Sequence, residues 1–279
     1  MARYGFVFNI ERCNGCCSCF LACKDEYTGN DYPPTAAATC EGVNVIRVKE
    51  VEYGTGSKVK VDYIPIPCQN CEDAPCLNRF PDQVYRRDDG IIIIDPEKAR
   101  GNRELVNACP YGAIAWNEQS QLPQKCTMCA HMLDAGEKVT RCSECCPNAA
   151  LLFGDLDDPT SEISIYIKEH ADELEKFHPE YGTSPTVYYR HLPKPFIAGE
   201  VVCGDDDSCC KGAKVTAICE ESGQVLETVT DFFGDFEFRF LPLNKSFTIK
   251  VEAEGYKTAE IKTRTNAAVN LGEIILEKA

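Results

Sequence analysis

The chain is 279 residues long with a formal charge of −15, longer than one ordinary core requires, so two domains or one domain with a substantial appendage are expected. Nineteen cysteines in that length leave two readings: the disulfide framework of a secreted chain, or a set of metal sites in a reducing compartment. The acidic balance argues against a nucleic-acid partner, and the longest tight aliphatic run, at 91–94, falls far short of the ~20 apolar residues that span a bilayer.

The first ten residues carry only Arg3, with no basic n-region, no long apolar run and no twin-arginine pair. A cytoplasmic protein with reduced thiols is therefore expected, with no direct membrane contact.

Cysteine spacing dominates the first half. Cys13-x2-Cys16-x2-Cys19-x3-Cys23 is the run of bacterial two-cluster ferredoxins, in which three thiolates hold one [4Fe-4S] cluster and the fourth crosses to its neighbour. The answering run is Cys126-x2-Cys129, a loop, then Cys142-x3-Cys146-Pro147. The crossed rule gives one cluster to Cys13, Cys16, Cys19 and Cys146, and a second to Cys23, Cys126, Cys129 and Cys142.

A second pair of runs lies between them in altered form. Cys68-x2-Cys71-x4-Cys76-x3-Phe80-Pro81 has phenylalanine where the crossing cysteine belongs. Its partner ends at Cys109-Pro110, but the three places that precede it hold Ala99, Asn102 and Leu105. All four missing ligands belong to one cluster, and Cys68, Cys71, Cys76 and Cys109 complete the other. One site is deleted whole, and Phe80 and Leu105 are expected to help fill the vacated volume. A lone C-x2-C reads first as a zinc knuckle or redox dithiol; neither needs a third cysteine at short spacing or a distant Cys-Pro.

Seven cysteines remain. Cys17 and Cys145 adjoin ligands and read as small buried hydrophobes; Cys40 and Cys219 carry no pattern. Cys203, Cys209 and Cys210 flank Asp205-Asp206-Asp207, and a solvated thiol loop is favoured there over a metal site. His131, His170, His178 and His191 fall in no nucleophile or zinc motif, Tyr111 and Trp116 read as packing around a cluster, and no phosphate-binding glycine loop occurs. No catalytic residue is assigned.

Between the cysteine groups, alternating Val, Ile and Tyr at 43–53 and 58–66 about Gly54-Thr55-Gly56 predict a β-hairpin. Asp158-Pro159-Thr160-Ser161-Glu162 opens one or two short amphipathic helices carrying Ile163, Ile167, His170, Leu174 and Phe177. Three prolines and several aromatics at 180–195 suit an extended arm lying on a partner. Short β-like runs from Phe196 onward predict an all-β sandwich. The expected organisation is α+β: a ferredoxin-like cluster domain at 1–155, a helical linker and docking arm at 156–195, and a β-sandwich at 196–279.

With four ferredoxin-type runs in this order, Ala74-Pro75 before Cys76, and Gly182-Thr183-Ser184-Pro185 followed by Val187-Tyr188-Tyr189, residues 1–190 resemble the iron-sulfur subunits of the dimethyl sulfoxide reductase family. Lys24, in place of the usual proline, and the lost cluster are the departures. The segments Gly212-Ala213-Lys214-Val215, Thr230-Asp231-Phe232-Phe233-Gly234 and Val251-Glu252-Ala253-Glu254-Gly255-Tyr256 resemble a transthyretin-like or carboxypeptidase-regulatory-like β-domain.

A three-cluster subunit with such an appendage is similar to the small subunits of that family's polyhydroxybenzene transhydroxylases. The resemblance implies an electron-transfer role in a heterodimer, beside a large catalytic subunit that holds molybdopterin with molybdenum or tungsten. Two alternatives stand: a relay subunit of a net oxidoreductase such as a formate dehydrogenase or respiratory reductase, and a free multi-cluster ferredoxin whose β-domain binds changing partners.

Overall fold

The computed structural model describes residues 2–39, 42–204 and 208–279; Cys40 and the Asp205-Asp206-Asp207 loop lie outside them. The chain divides into two compact units, one of Met1–Glu50 with Asp62–Leu192, the other of Val51–Val61 with Pro193–Ala279.

The first unit is built on a four-stranded sheet in the order Leu151–Asp155, Tyr4–Asn9, Val187–Arg190, Leu174–Glu175. Tyr4–Asn9 runs antiparallel to Leu151–Asp155 and parallel to Val187–Arg190. Five of its six residues are buried, as a strand covered on both faces must be. Phe8 and Tyr189 stack across the parallel pair with ring centroids 5.4 Å apart. Each such fully buried aromatic contributes about 1.5–3 kcal/mol of transfer free energy. Around the sheet lie the helices Ser18–Tyr27, Pro75–Arg79, Ala130–Asp134 and Arg141–Glu144 and two short hairpins, Val84–Arg86 with Ile92–Ile94 and Ala115–Asn117 with Leu122–Gln124.

Three expectations change. The hairpin strands are Arg47–Thr55 and Lys58–Ile66, so 43–46 precede the pairing, and the turn end of this hairpin belongs to the second unit. The middle segment forms one helix, Glu162–Glu169, capped by the Ser161 side chain, which accepts from the Ser164 amide. Leu174 then pairs with Arg190 in the sheet, because two residues of ladder satisfy backbone groups that a frayed second helix would leave open. Part of the stretch expected to lie on a partner is interior. Val187 and Tyr189 are wholly buried, since the alternation Val187, Tyr189 fits a strand with one face inward.

The second unit holds two four-stranded sheets. In one, Ile197–Cys203 pairs with Ser208–Cys209, Asp235–Phe238 and, in parallel, Val269–Leu276. The other has the order Val225–Val229, Lys214–Cys219, Ser246–Glu252, Ala259–Arg264. Along Ser246–Glu252, Phe247, Ile249 and Val251 face a shared core with Val215, Phe236 and Leu276 while the intervening residues point outward, the period-two pattern of a strand buried on one face.

Candidate metal centres

Each cysteine run closes by the same local turn. The residue before the second cysteine has a left-handed backbone in all three: Gly15 at φ +70, Asn70 at +45 and Met128 at +51. That turn swings the following amides toward the first sulfur. Asn70 N donates to Cys68 Sγ and Met128 N to Cys126 Sγ, both at 3.4 Å. The two Cys-Pro loops match each other likewise. Gly112 and Ala149 are left-handed, and Ala113 N donates to Cys109 Sγ at 3.4 Å and Ala150 N to Cys146 Sγ at 3.3 Å. Amides aimed at sulfur favour the thiolate, the form that binds metal.

The fold gathers the cysteines into three sets. Cys68, Cys71, Cys76 and Cys109 line one cavity, together with Ala74, Ile92, Ile114 and Lys125. Cys13, Cys16, Cys19 and Cys146 line another, with Cys17 and Pro147 on its wall. Cys23 completes the third: burial pushes its thiol well up, and Cys126, Cys142 and Cys129 push it further. Cys23 and Cys146 thus sit with the other run's cysteines. The sets adjoin in series, for Cys126 feels Cys68, and both Cys23 and Cys142 feel Cys19.

Burial dominates the electrostatics. It pushes the Cys71, Cys19 and Cys126 thiols up to about 12 and Cys76 to about 11, neighbouring sulfurs adding to the effect. Four such groups can all be thiolates only around a cationic core, and an iron-sulfur cubane supplies one. Among the described residues no three His, Cys, Asp or Glu converge closely enough to hold a single ion. Cysteines spread around a cavity fit a cluster better than a zinc ion, whose tetrahedral shell draws sulfurs to ~2.3 Å from one centre.

The four positions without cysteine are packed by side chains. Ala99 and Leu105 are wholly buried, Asn102 Nδ2 donates to Gln83 Oε1 at 2.7 Å while Asn102 Oδ1 accepts from the Glu104 amide, and the Arg79 guanidinium lies over the Phe80 ring. Phe80 remains half-buried, so Leu105 carries more of the filling.

Cys17 is exposed and Cys145 half-buried, against the expectation of buried hydrophobes. Cys17 adopts a left-handed conformation at the start of Ser18–Tyr27, which turns it outward. Cys203, Cys210 and Cys219 are buried in the second unit's core and Cys209 is exposed. His170, His178 and His191 meet surface carboxylates.

Several residues beside the sulfurs escaped the motif reading. Thr140 Oγ1 lies 3.3 Å from Cys142 Sγ and the Tyr27 hydroxyl 3.9 Å from Cys129 Sγ. Glu26 joins His131 and Arg141 at 2.8 and 2.7 Å beside the third set. Buried Lys125 follows Gln124 and precedes Cys126; its place directly before a cysteine of the run was the available signal.

A family model described as a 4Fe-4S dicluster domain matches residues 59–156, and one described as a carboxypeptidase regulatory-like domain matches 197–275. The pyrogallol hydroxytransferase small subunit of Pelobacter acidigallici is 37% identical over 99% of this chain and 100% of its own. A tetrathionate reductase subunit of Salmonella typhimurium is 34% identical over 70% of this chain and 75% of its own. A putative dimethyl sulfoxide reductase iron-sulfur subunit of Halobacterium salinarum is 34% identical over 80% and 94% respectively.

Proposed function

Because the chain belongs to the iron-sulfur subunits of the dimethyl sulfoxide reductase family of molybdopterin enzymes, we propose that it is the three-cluster electron-transfer subunit of a polyhydroxybenzene transhydroxylase. One observation carries the cluster reading: twelve cysteines form three crossed sets of four while all the replaced positions fall in a single fourth set.

In this reading Cys13, Cys16, Cys19 and Cys146 hold the first cluster, Cys23, Cys126, Cys129 and Cys142 the second, and Cys68, Cys71, Cys76 and Cys109 the middle one. When bound, each cluster would take up and return one electron. The protein's part is to fix the sulfurs, to aim amide, hydroxyl and ammonium donors at them, and to exclude water from the inner sets. Cys16 alone among the twelve is exposed, which supports the first set as the face open to the partner.

The partner would be a large catalytic subunit holding molybdopterin with molybdenum or tungsten, in a cytoplasmic heterodimer. The Pelobacter relative matches through the C-terminal β-unit as well as the cluster unit, and that full-length likeness supports conversion of pyrogallol to phloroglucinol. A transfer with no net redox change has little need of a long exit wire, in keeping with the lost fourth cluster. We assign the cluster domain to 1–155 and the appended β-domain to 196–279.

Copurification of the tagged chain, metal analysis and a pyrogallol assay test the reading. A large companion with molybdenum or tungsten and pyrogallol turnover is expected. A lone chain, or a complex that turns over tetrathionate or formate and leaves pyrogallol untouched, would contradict it.

A further inference from the structure

Lys125 is 2% exposed, and no Asp or Glu among the described residues forms an ion pair with it. A buried ammonium without a carboxylate needs another negative partner. Its Nζ donates to the Ile92 carbonyl and, at 3.1 Å, to the Cys126 carbonyl, and it lines the cavity of Cys68, Cys71, Cys76 and Cys109. The Ile92 amide in turn donates to Oδ1 of Asn70 at 2.9 Å, the left-handed residue between Cys68 and Cys71. The ammonium is therefore held in place by a ring of contacts joining the middle set to the run that begins the second.

The charge bears unequally on the cysteines. Lys125 lines the cavity shared by Cys68, Cys71, Cys76 and Cys109, whereas of the second set it adjoins only Cys126, the next residue in the chain.

We propose that Lys125 sets the reduction potential of the middle cluster, stabilising the reduced form of the cluster on Cys68, Cys71, Cys76 and Cys109 and, less strongly, that of the second. Reduction adds one negative charge to a site whose thiolates already leave an oxidised cubane anionic. A fixed cation in a water-excluded wall stabilises that added charge more than it stabilises the oxidised state. Placed between two anionic centres, the ammonium also weakens their mutual repulsion, so that both can be reduced together.

The inference rests on the three-cluster reading, and the test separates the two. Lys125→Gln, Lys125→Met and Lys125→Arg are made in the full chain and purified with its companion. Iron is counted, and each cluster is titrated by potentiometry with electron paramagnetic resonance, its signal assigned by the ligand substitution that removes it. The Gln and Met chains should show the middle cluster at least tenfold harder to reduce, a fall of 59 mV or more for one electron. The second cluster should fall by less and the first not at all, while Arg returns the middle cluster toward the parent value. Equal shifts of all three clusters, or none with iron intact, would overturn the proposal. If neither neutral variant retains iron, the parent decides: the middle cluster should titrate at the highest potential of the three, and a middle cluster below the first would overturn it. A parent chain with no middle cluster would overturn the three-cluster reading itself.

Discussion

The hydroxyl of Tyr111 and Oγ1 of Thr183 lie 2.6 Å apart in the interior of the first unit. Tyr111 follows the Cys109-Pro110 pair, and the Thr183 carbonyl accepts from the Asp73 amide between Cys71 and Cys76, so this contact ties the segment before Val187–Arg190 to the loops that carry the middle set. Thr183→Val is expected to destabilise the chain by about 1–3 kcal/mol, the cost of leaving a buried hydroxyl without its partner. Urea unfolding measures it. A loss below a few tenths of that range would show the contact to be incidental.

The same relationship changes what a deletion does. Removing 183–190 takes away a strand of the central sheet, and the expected result is an unfolded, iron-free first unit. Recovery of a folded, fully loaded chain that merely sheds its companion would restore the free docking arm.

The two Cys-Pro loops offer a matched pair of backbone tests. Gly112 has φ +60 and Ala149 φ +47, equivalent places in the two loops. An added Cβ at Gly112 meets only the Arg47 guanidinium, at 3.5 Å, so conformation rather than collision sets its cost. Gly112→Ala should lose about 1 kcal/mol and Ala149→Gly should gain up to about 1 kcal/mol in denaturant unfolding. Shifts of the same sign would mean that the loops are not equivalent.

Lys176 carries a pH dependence. Burial lowers its ammonium from an ordinary value of 10.5 to about 7, with Glu72 opposing. Between those values the unfolded chain binds more protons than the folded one, so this contribution to stability is full above about 10.5 and is lost as pH falls through 7. Comparing thermal unfolding at pH 7 and pH 9, the parent should gain more stability than Lys176→Met. An equal gain in both would assign the dependence to other groups.

That the cysteine runs fold together could be read from their spacing, and the β-unit could be read from alternation such as Phe247, Ile249, Val251. Val187–Arg190 could not be read as a core strand. The prolines on either side and its exposed-looking tyrosines describe an arm until Tyr4–Asn9, far away in the chain, provides the ladder. Lys125 was equally hidden, because only the approach of Ile92 and Cys68 turns a surface residue type into a buried cation. The outward turn of Cys17 follows from a left-handed backbone that neighbouring residues do not announce.

The central claim is three clusters on three crossed sets with the fourth site deleted whole. Iron and acid-labile sulfide counted on the loaded chain, in the parent and in ligand variants, test it most directly. The parent should hold about twelve of each, four per cluster. Cys76→Ser or Cys109→Ser should damage only the middle cluster, Cys23→Ser only the one it shares with Cys126, Cys129 and Cys142, and substitutions at Cys17 or Cys145 none. About sixteen irons in the parent, or a cluster beside Phe80, Ala99, Asn102 and Leu105, would contradict the account.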